Sequence, residues 1–391
     1  MVKIYLKPKK EQSLLRFHPW LFSGAIQRIE GVPLEGALVE VYSSEQVFLG
    51  RGHYQVGSIS VRILTFKQET IDEDFWSRTI KQAYRMRESL GLIVSSNDTY
   101  RLVHGEGDSL PGLIVDVYGN TAVMQAHSVG MHLVREMIAK VLIEVVPALT
   151  KVYYKSETTL PFMAQIDPQD GYLVGTSADN QLAVENGLQF RVDWLRGQKT
   201  GFFIDQRENR MLLEKYSCGR KVLNMFCYTG GFSVYALRGG ATQVHSVDSS
   251  ARAIEITDYN VKLNSTYHAR HASFAEDAFK FLNNCEYEYD LVVLDPPAFA
   301  KHRDALRNAL KGYQRLNAKG ISRIKSGGIL FTFSCSQVVS SEQFRLAVFS
   351  AAAETGRKVR ILHQLTQPAD HPVNIYHPEG EYLKGLVLYV E

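Results

Sequence analysis

Hydrophobic and polar positions follow three rhythms along the chain. Over residues 1–70, short β-rich runs (Ala37-Leu-Val-Glu-Val-Tyr, Val47-Phe-Leu-Gly and Ser58-Ile-Ser-Val-Arg-Ile-Leu) are separated by Gly/Ser turns. Strands this short and this regularly punctuated predict a small β-barrel. From Asp72 the period lengthens. Phe75, Trp76, Ile80, Ala83, Tyr84 and Met86 recur at helical spacing, with Arg78, Lys81, Arg85 and Arg87 on the opposite face. A polar, glycine-rich loop from Arg101 then leads into a strand. Thr121 to Ala126 reads as another strand, Val129 to Val145 as a helix and Lys151 to Tyr154 as a strand. The expectation is an α+β middle domain over 71–185.

The third rhythm, over 186–391, is that of an α/β domain. Asn186 to Asp193 reads as a hairpin strand entering it. Val222, Leu223 and Met225 form a short buried strand, Phe226 to Gly231 a glycine-bearing turn, and Phe232 to Leu237 a helix that packs back on the sheet. Further strands are expected at Gln243 to Val247, Leu291 to Leu294 and Gly328 to Ser334, with a helix from Ala251 to Leu263. Pro296 and Pro297 cannot continue a central strand, so they fix a rigid loop behind Asp295. The strand ends at Gly230, Asp248, Asp295 and Cys335 should gather on one edge, where ligands sit in open α/β sheets.

Candidate chemistry concentrates on that edge. Asp248 stands about 20 residues beyond the glycine turn, placed to accept both ribose hydroxyls of a nucleoside. Asp277 comes where a third strand should end and can accept an adenine amino group. The turn lacks the three glycines of G-x-G-x-x-G, which speaks against NAD or FAD. Lys199, Thr200, Asp205, Gln206 and Arg207 are too polar and glycine-flanked for a core helix entry, and read as a lip over the pocket. His104, Glu106 and Asp108 lack metal-ligand spacing and read as a loop, so no metal is expected.

Composition narrows the class. Hydrophobic content of 45% with 22% charged residues is that of a globular protein. No apolar run approaches the roughly 20 residues of a membrane span. Charges near the N-terminus stand where a secretory apolar core would lie. Cys218, Cys227, Cys285 and Cys335 form no C-x-x-C pair, and a cytoplasmic location is expected. The net charge of +3 permits a nucleic-acid partner without arguing for one. Locally, Lys7, Lys9, Lys10 and Arg16 interleave with Tyr5, Phe17, Trp20 and Phe22, the mixture an RNA-binding surface uses; a solvated basic terminus fits these residues equally well.

His18-Pro-Trp, Gln198-Lys-Thr-Gly-Phe-Phe-Ile-Asp-Gln-Arg, Asn224-Met-Phe-Cys-Tyr-Thr-Gly-Gly-Phe, Leu294-Asp-Pro-Pro-Ala-Phe and Ser334-Cys-Ser together carry a resemblance over essentially the whole chain. The chain resembles the bacterial 23S ribosomal RNA cytosine-C5 methyltransferases that carry an N-terminal PUA domain. The resemblance implies a class I, Rossmann-like seven-stranded sheet and S-adenosylmethionine as cofactor. Asp248 would hold the ribose and Asp277 the adenine. The turn from Asn224 through Phe226, Tyr228, Thr229 and Gly230 would take the methionine part, with Gln206 and Arg207 closing the pocket. The implied partner is 23S ribosomal RNA or a large-subunit precursor, with no membrane; a homodimer is allowed for.

Carbon 5 of cytosine needs a thiolate on carbon 6 before it can attack a sulfonium methyl. Cys335 meets the placement, and Ser334 and Ser336 give it a polar setting, although a small buried hydrophobe is the alternative reading. Where related enzymes carry a second cysteine after Pro-Pro, this chain has Ala298. The base for the carbon-5 proton is therefore open: Asp295 suits activation of the ring, and Asp370 and His371 are outside candidates for the base. A guanine-N7 methyltransferase, which needs no cysteine, and a non-catalytic assembly factor are the competing readings.

Overall fold

The computed structural model describes the chain apart from residues 162–165, 167, 177–181, 265–269, 286, 287 and 301. It divides into two compact units: residues 1–187, 192–204 and 369–380 form the first, and residues 188–191, 205–368 and 381–391 the second.

The first unit contains two sheets. Strands β1 (Val2–Leu6), β2 (Trp20–Phe22), β3 (Ile26–Glu30), β4 (Leu38–Tyr42), β5 (Phe48–Tyr54) and β6 (Ile59–Thr65) form a six-stranded sheet in the order β2-β6-β5-β4-β1-β3. A single turn of helix, α1 (Gln12–Leu15), follows β1. Alternation sends Ile4, Leu6, Val39, Val41, Val61 and Ile63 into one apolar core. Three of these strands lie in the first thirty residues, where the lysines had suggested only a basic surface. Tyr5 is consequently buried and stacked on Tyr42, leaving Phe17 and Phe22 as the exposed rings.

The second sheet, β11-β10-β9-β8-β7, is built from β7 (Thr99–His104), β8 (Leu113–Tyr118), β9 (Thr121–Ala126), β10 (Lys151–Tyr154) and β11 (Gly171–Val174). Helices α2 (Glu73–Ser89), α3 (Val129–Leu133) and α4 (Arg135–Val145) accompany it, and Phe75, Trp76, Ile80 and Ala83 of α2 share its core. Asp72 starts α2 as expected, its carboxylate accepting the Phe75 N–H at 3.1 Å. Two local expectations fail. Arg101 to His104 is strand rather than loop, because Arg101 reaches across the ladder to Asp116 (2.8 Å). Arg87 is fully buried, since its guanidinium pairs with Asp108 and donates to Asp370 O (2.8 Å). Strand β12 (Leu182–Glu185) closes the unit's main span.

The second unit begins at β13 (Leu188–Arg191) and resumes at Asp205 with α5 (Arg207–Ser217). Then follow β14 (Lys221–Met225), α6 (Gly231–Arg238), β15 (Gln243–Asp248), α7 (Ala251–Asn264), β16 (His271–Ala275), α8 (Ala278–Asn284), β17 (Tyr289–Leu294), α9 (Leu306–Ser322), β18 (Ile324–Ser334), α10 (Ser341–Thr355), β19 (Val359–Leu365) and β20 (Lys384–Val390). Seven of these strands make one sheet in the order β16-β15-β14-β17-β18-β20-β19, all parallel except β20 against its two neighbours. Because β14, β17 and β18 are covered on both faces, they read as near-continuous apolar runs.

Candidate active site

Parallel pairing puts the carboxyl ends of β14, β15, β17 and β18 on one edge. Successive strands run outward from β14 in both directions, so the order reverses between β14 and β17. That switch point opens the crevice in which α/β sheets bind ligands.

The turn after β14 is bent by three left-handed residues: Phe226 at φ 57°, Tyr228 at 46° and Gly230 at 79°. Two of them are aromatic, which costs backbone strain that the surroundings must hold in place. Helix α7 does so from outside. Thr257 Oγ1 donates to Tyr228 O (2.8 Å) and Asn260 Nδ2 to Thr229 O (2.9 Å). At Gly230 a Cβ would stand 2.6 Å from Thr257 Cγ2, so only glycine fits. With its carbonyls bound to α7, the turn directs the Tyr228 amide toward the end of β15. The Tyr228 N–H donates to Asp248 Oδ2 (3.0 Å) and the Ser250 N–H to Asp248 Oδ1 (2.9 Å). Asp248 is half-buried at the last position of β15, with a lone pair on each oxygen to spare. Asn224 lies beneath the turn, where it donates to Ser233 Oγ (2.9 Å). Thr229 is buried, and its hydroxyl has no hydrogen-bond partner among the described residues.

Asp295 follows β17 directly. Gln206 Nε2 donates to its Oδ2 (3.0 Å), and Asn209 Nδ2 holds Gln206 Oε1 (2.6 Å), fixing which way the amide faces. Asp205 is held by the Tyr382 hydroxyl (2.7 Å). Burial, and then the Asp205 charge, push the Asp295 carboxyl up to about 7 against the opposing pull of Gln206 and Arg210. A carboxyl near neutrality at a ligand edge can be either donor or acceptor. Arg207 is buried at the first turn of α5.

Cys335 follows β18 directly and is half-buried. Its neighbours are tied down. Ser334 Oγ donates to the Tyr313 hydroxyl (2.9 Å), which meets Ser336 Oγ (3.2 Å), and Ser336 Oγ also accepts the Ala300 N–H (3.3 Å). The Asp-Pro-Pro loop and the cysteine loop are thus fastened to each other. Lys384, paired in register with Ser334, is buried and donates to Ser336 O (2.6 Å). Burial lowers its ammonium to about 8, and ionisation of Cys335 would pull it back up. Cys227 and Cys285 are buried, burial pushing the Cys227 thiol far up. Cys218 is exposed beyond the end of α5.

Other expected residues fall elsewhere. Asp277 is exposed and caps α8 by accepting the Lys280 N–H (2.9 Å), which uses one of its two oxygens. Thr200 belongs to the first unit and donates to Asp116 Oδ2 (2.6 Å). Asp370 and His371 are also interior to the first unit. Asp370 accepts the Arg101 N–H (3.0 Å) and pairs with the His371 ring (3.0 Å). Asp108 is consumed by Arg87, and Glu106 accepts the Trp20 indole N–H (2.8 Å). Lys7, Lys9, Lys10 and Arg16 are all exposed. Asp205 was read only as part of the lip, while Tyr382 and Lys384 were not anticipated. A lone lysine heading the apolar run of β20 was the available signal.

Comparison with known proteins identifies the fold and the family. Residues 155–375 match the model of S-adenosylmethionine-dependent methyltransferases, and residues 4–66 match a PUA-like domain. The chain is 40% identical to the ribosomal RNA large subunit methyltransferase I of Aeromonas hydrophila over 98% of both chains. It is 38% identical to that of Escherichia coli O139:H28, over 100% of this chain and 99% of the relative. Among solved structures, a protein from Streptococcus mutans described as a methyltransferase superposes with a TM-score of 0.85 at 24% identity, full length on both sides. Another methyltransferase-like structure, complexed with SAH, gives 0.86 at 25% identity over the same coverage. The chain belongs to the family of S-adenosylmethionine-dependent methyltransferases that includes ribosomal RNA large subunit methyltransferase I.

Proposed function

We propose that this protein methylates carbon 5 of a cytosine in large-subunit ribosomal RNA, with Cys335 as nucleophile. The observation that carries the reading is the half-buried Cys335 at the switch-point edge, beside a buried ammonium, while Cys227 and Cys285 are sealed in the core. Asp248 takes the ribose hydroxyls, the free oxygen of Asp277 the adenine amino group, and the turn of Phe226, Tyr228, Thr229 and Gly230 the methionine part. Asn224 shapes that turn from below, and Gln206 and Arg207 line its far side. The bound cofactor supplies an electrophilic methyl group on its sulfonium.

The target base must leave its stack to reach this edge. The Cys335 thiolate adds to carbon 6, making carbon 5 nucleophilic toward the methyl group. Once carbon 5 carries the methyl group, water or a general base accepts its proton, and the electron pair left behind expels the Cys335 thiolate and restores the ring. Asp295 in its acid form donates to the ring and draws electron density from carbon 6. The RNA partner is met first by Lys7, Lys9, Lys10 and Arg16.

RNA carrying 5-fluorocytidine at the target tests this reading, because fluorine cannot leave as a proton. A stable protein–RNA adduct is expected from the native protein and from Cys218→Ala, and none from Cys335→Ala. Methyl transfer by Cys335→Ala with cofactor binding intact would overturn it.

A further inference from the structure

The His18-Pro-Trp motif takes no part in the chemistry above, yet it meets a second group of polar side chains inside the first unit. His18 Nε2 lies 3.5 Å from Glu379 Oε2, and His377 Nε2 lies 3.8 Å from the same oxygen. One donor atom from each of the three residues falls within 4.8 Å of the other two. Local structure explains the convergence. A 3-10 turn (Pro378–Gly380) begins directly after His377 and turns Glu379 back beside it, while His18 precedes β2.

His377 is the unusual member. It is 3% exposed, packed 4.3 Å from the Trp20 ring and 5.4 Å from that of His18. Neither of its ring nitrogens has a hydrogen-bond partner among the described residues. Buried polar atoms are almost always paired, and leaving two on one ring unpaired is costly unless a ligand completes them. That ligand must suit a carboxylate. Glu379 contributes a negative charge at the donor atoms, and Glu106 adds a second carboxylate on the Trp20 ring that packs against His377. An anion is disfavoured there, and a cation is favoured.

We propose that His18, His377 and Glu379 bind a divalent transition-metal ion of the zinc type. Two imidazoles and a carboxylate are a donor set that zinc accepts, leaving a fourth position for water. Bonds of about 2.0–2.1 Å at tetrahedral angles set ligand atoms roughly 3.4 Å apart, close to both histidine–carboxylate separations. His18 Nδ1 accepts the Trp20 N–H at 3.2 Å and lies 3.3 Å from Trp20 O. A metal on Nε2 takes the tautomer with the proton on Nδ1, so Nδ1 exchanges its bond from the amide for one donated to the carbonyl, and this orients the ring. Glu379 is half exposed and gives the ion an entry path. The ion joins the amino-terminal motif to residues 377–379, which belong to the same unit although far apart in sequence.

The experiment uses the full chain without an affinity tag, stripped by EDTA and then titrated with zinc chloride. Calorimetry should give one ion per chain, and cobalt chloride should produce the visible bands of a tetrahedral site. His377→Gln and Glu379→Gln should each weaken zinc at least tenfold, with unchanged circular dichroism. Glu379→Gln alters a half-exposed side chain and decides the matter even if His377→Gln fails to fold. No saturable zinc binding, or one-to-one binding that survives Glu379→Gln unchanged, would overturn the proposal.

Discussion

Lys384 is the single residue whose position most changes the chemistry of its neighbour. A buried ammonium at the head of β20 faces the loop that carries Cys335, and each charge favours the other. Lys384→Met should therefore slow alkylation of Cys335 by iodoacetamide at pH 7 about tenfold, because less thiolate is present. Cofactor affinity should stay the same; equal alkylation rates would remove Lys384 from this role. Asp295 adds a second pH effect. Its carboxyl is raised from 3.8 to about 7, so it is protonated below that value and ionised above it. If the acid form is the active one, kcat/KM falls as pH rises through about 7, and Asp295→Asn loses that limb. A falling limb that persists in Asp295→Asn would assign it to another group. The candidacy of Asp295 for activating the ring was legible beforehand, but its raised pKa was not, and Lys384 was missed altogether. Asp295 was placed by the two prolines after it, but its proton depends first on burial and then on Asp205, which arrives from a different stretch of chain. Lys384 looked like a polar start to an apolar strand.

At the scale of elements, the turn between β14 and α6 is where sequence and structure agree best. Glycine after bulky residues announced a bend, and a buried run before it announced a central strand. What the sequence could not display is that α7 bolts the turn by its carbonyls, since Thr257 and Asn260 look like ordinary helix polar positions. That bolting makes a specific substitution informative. In Gly230→Ala the new methyl meets Thr257 Cγ2 at 2.6 Å in a backbone held at φ 79°. Left-handed strain and overpacking each cost about 1–3 kcal/mol, so a loss of roughly 2–6 kcal/mol in unfolding free energy is expected. Denaturant unfolding reads the stability and calorimetry the S-adenosylmethionine affinity, and both should fall together. A stable variant that binds the cofactor normally would show that the turn has more slack than its contacts allow. Strands β1 to β3 were the opposite case, where lysines between apolar residues masked an alternating pattern.

At the scale of the whole chain, one feature escapes any local pattern: residues 369–380 lie between two strands of the second unit yet belong to the first. No periodicity announces such an excursion, because its anchors are single polar contacts such as Arg87 to Asp370 O and Arg101 N–H to Asp370. The amino-terminal cations are a whole-molecule question too, since their effect on RNA is summed rather than specific. Lys7, Lys9, Lys10 and Arg16 are exposed, although Lys7 Nζ also donates to Gly24 O (3.0 Å). Each cation that meets a phosphate releases condensed counterions, so the logarithm of affinity falls with the logarithm of salt by about 0.7–0.9 per contact. Replacing all four by glutamine should flatten that slope by up to about 3 for an RNA that engages all of them. Affinity should drop most at low salt, with the turnover of saturated enzyme little changed, because none of the four lies in the second unit. Filter binding across a salt series, beside single-turnover methylation at saturating RNA, separates the two effects. An unchanged slope would make the basic terminus a solvated face. A flattened slope with lost single-turnover rate would mean that these cations also position the target base.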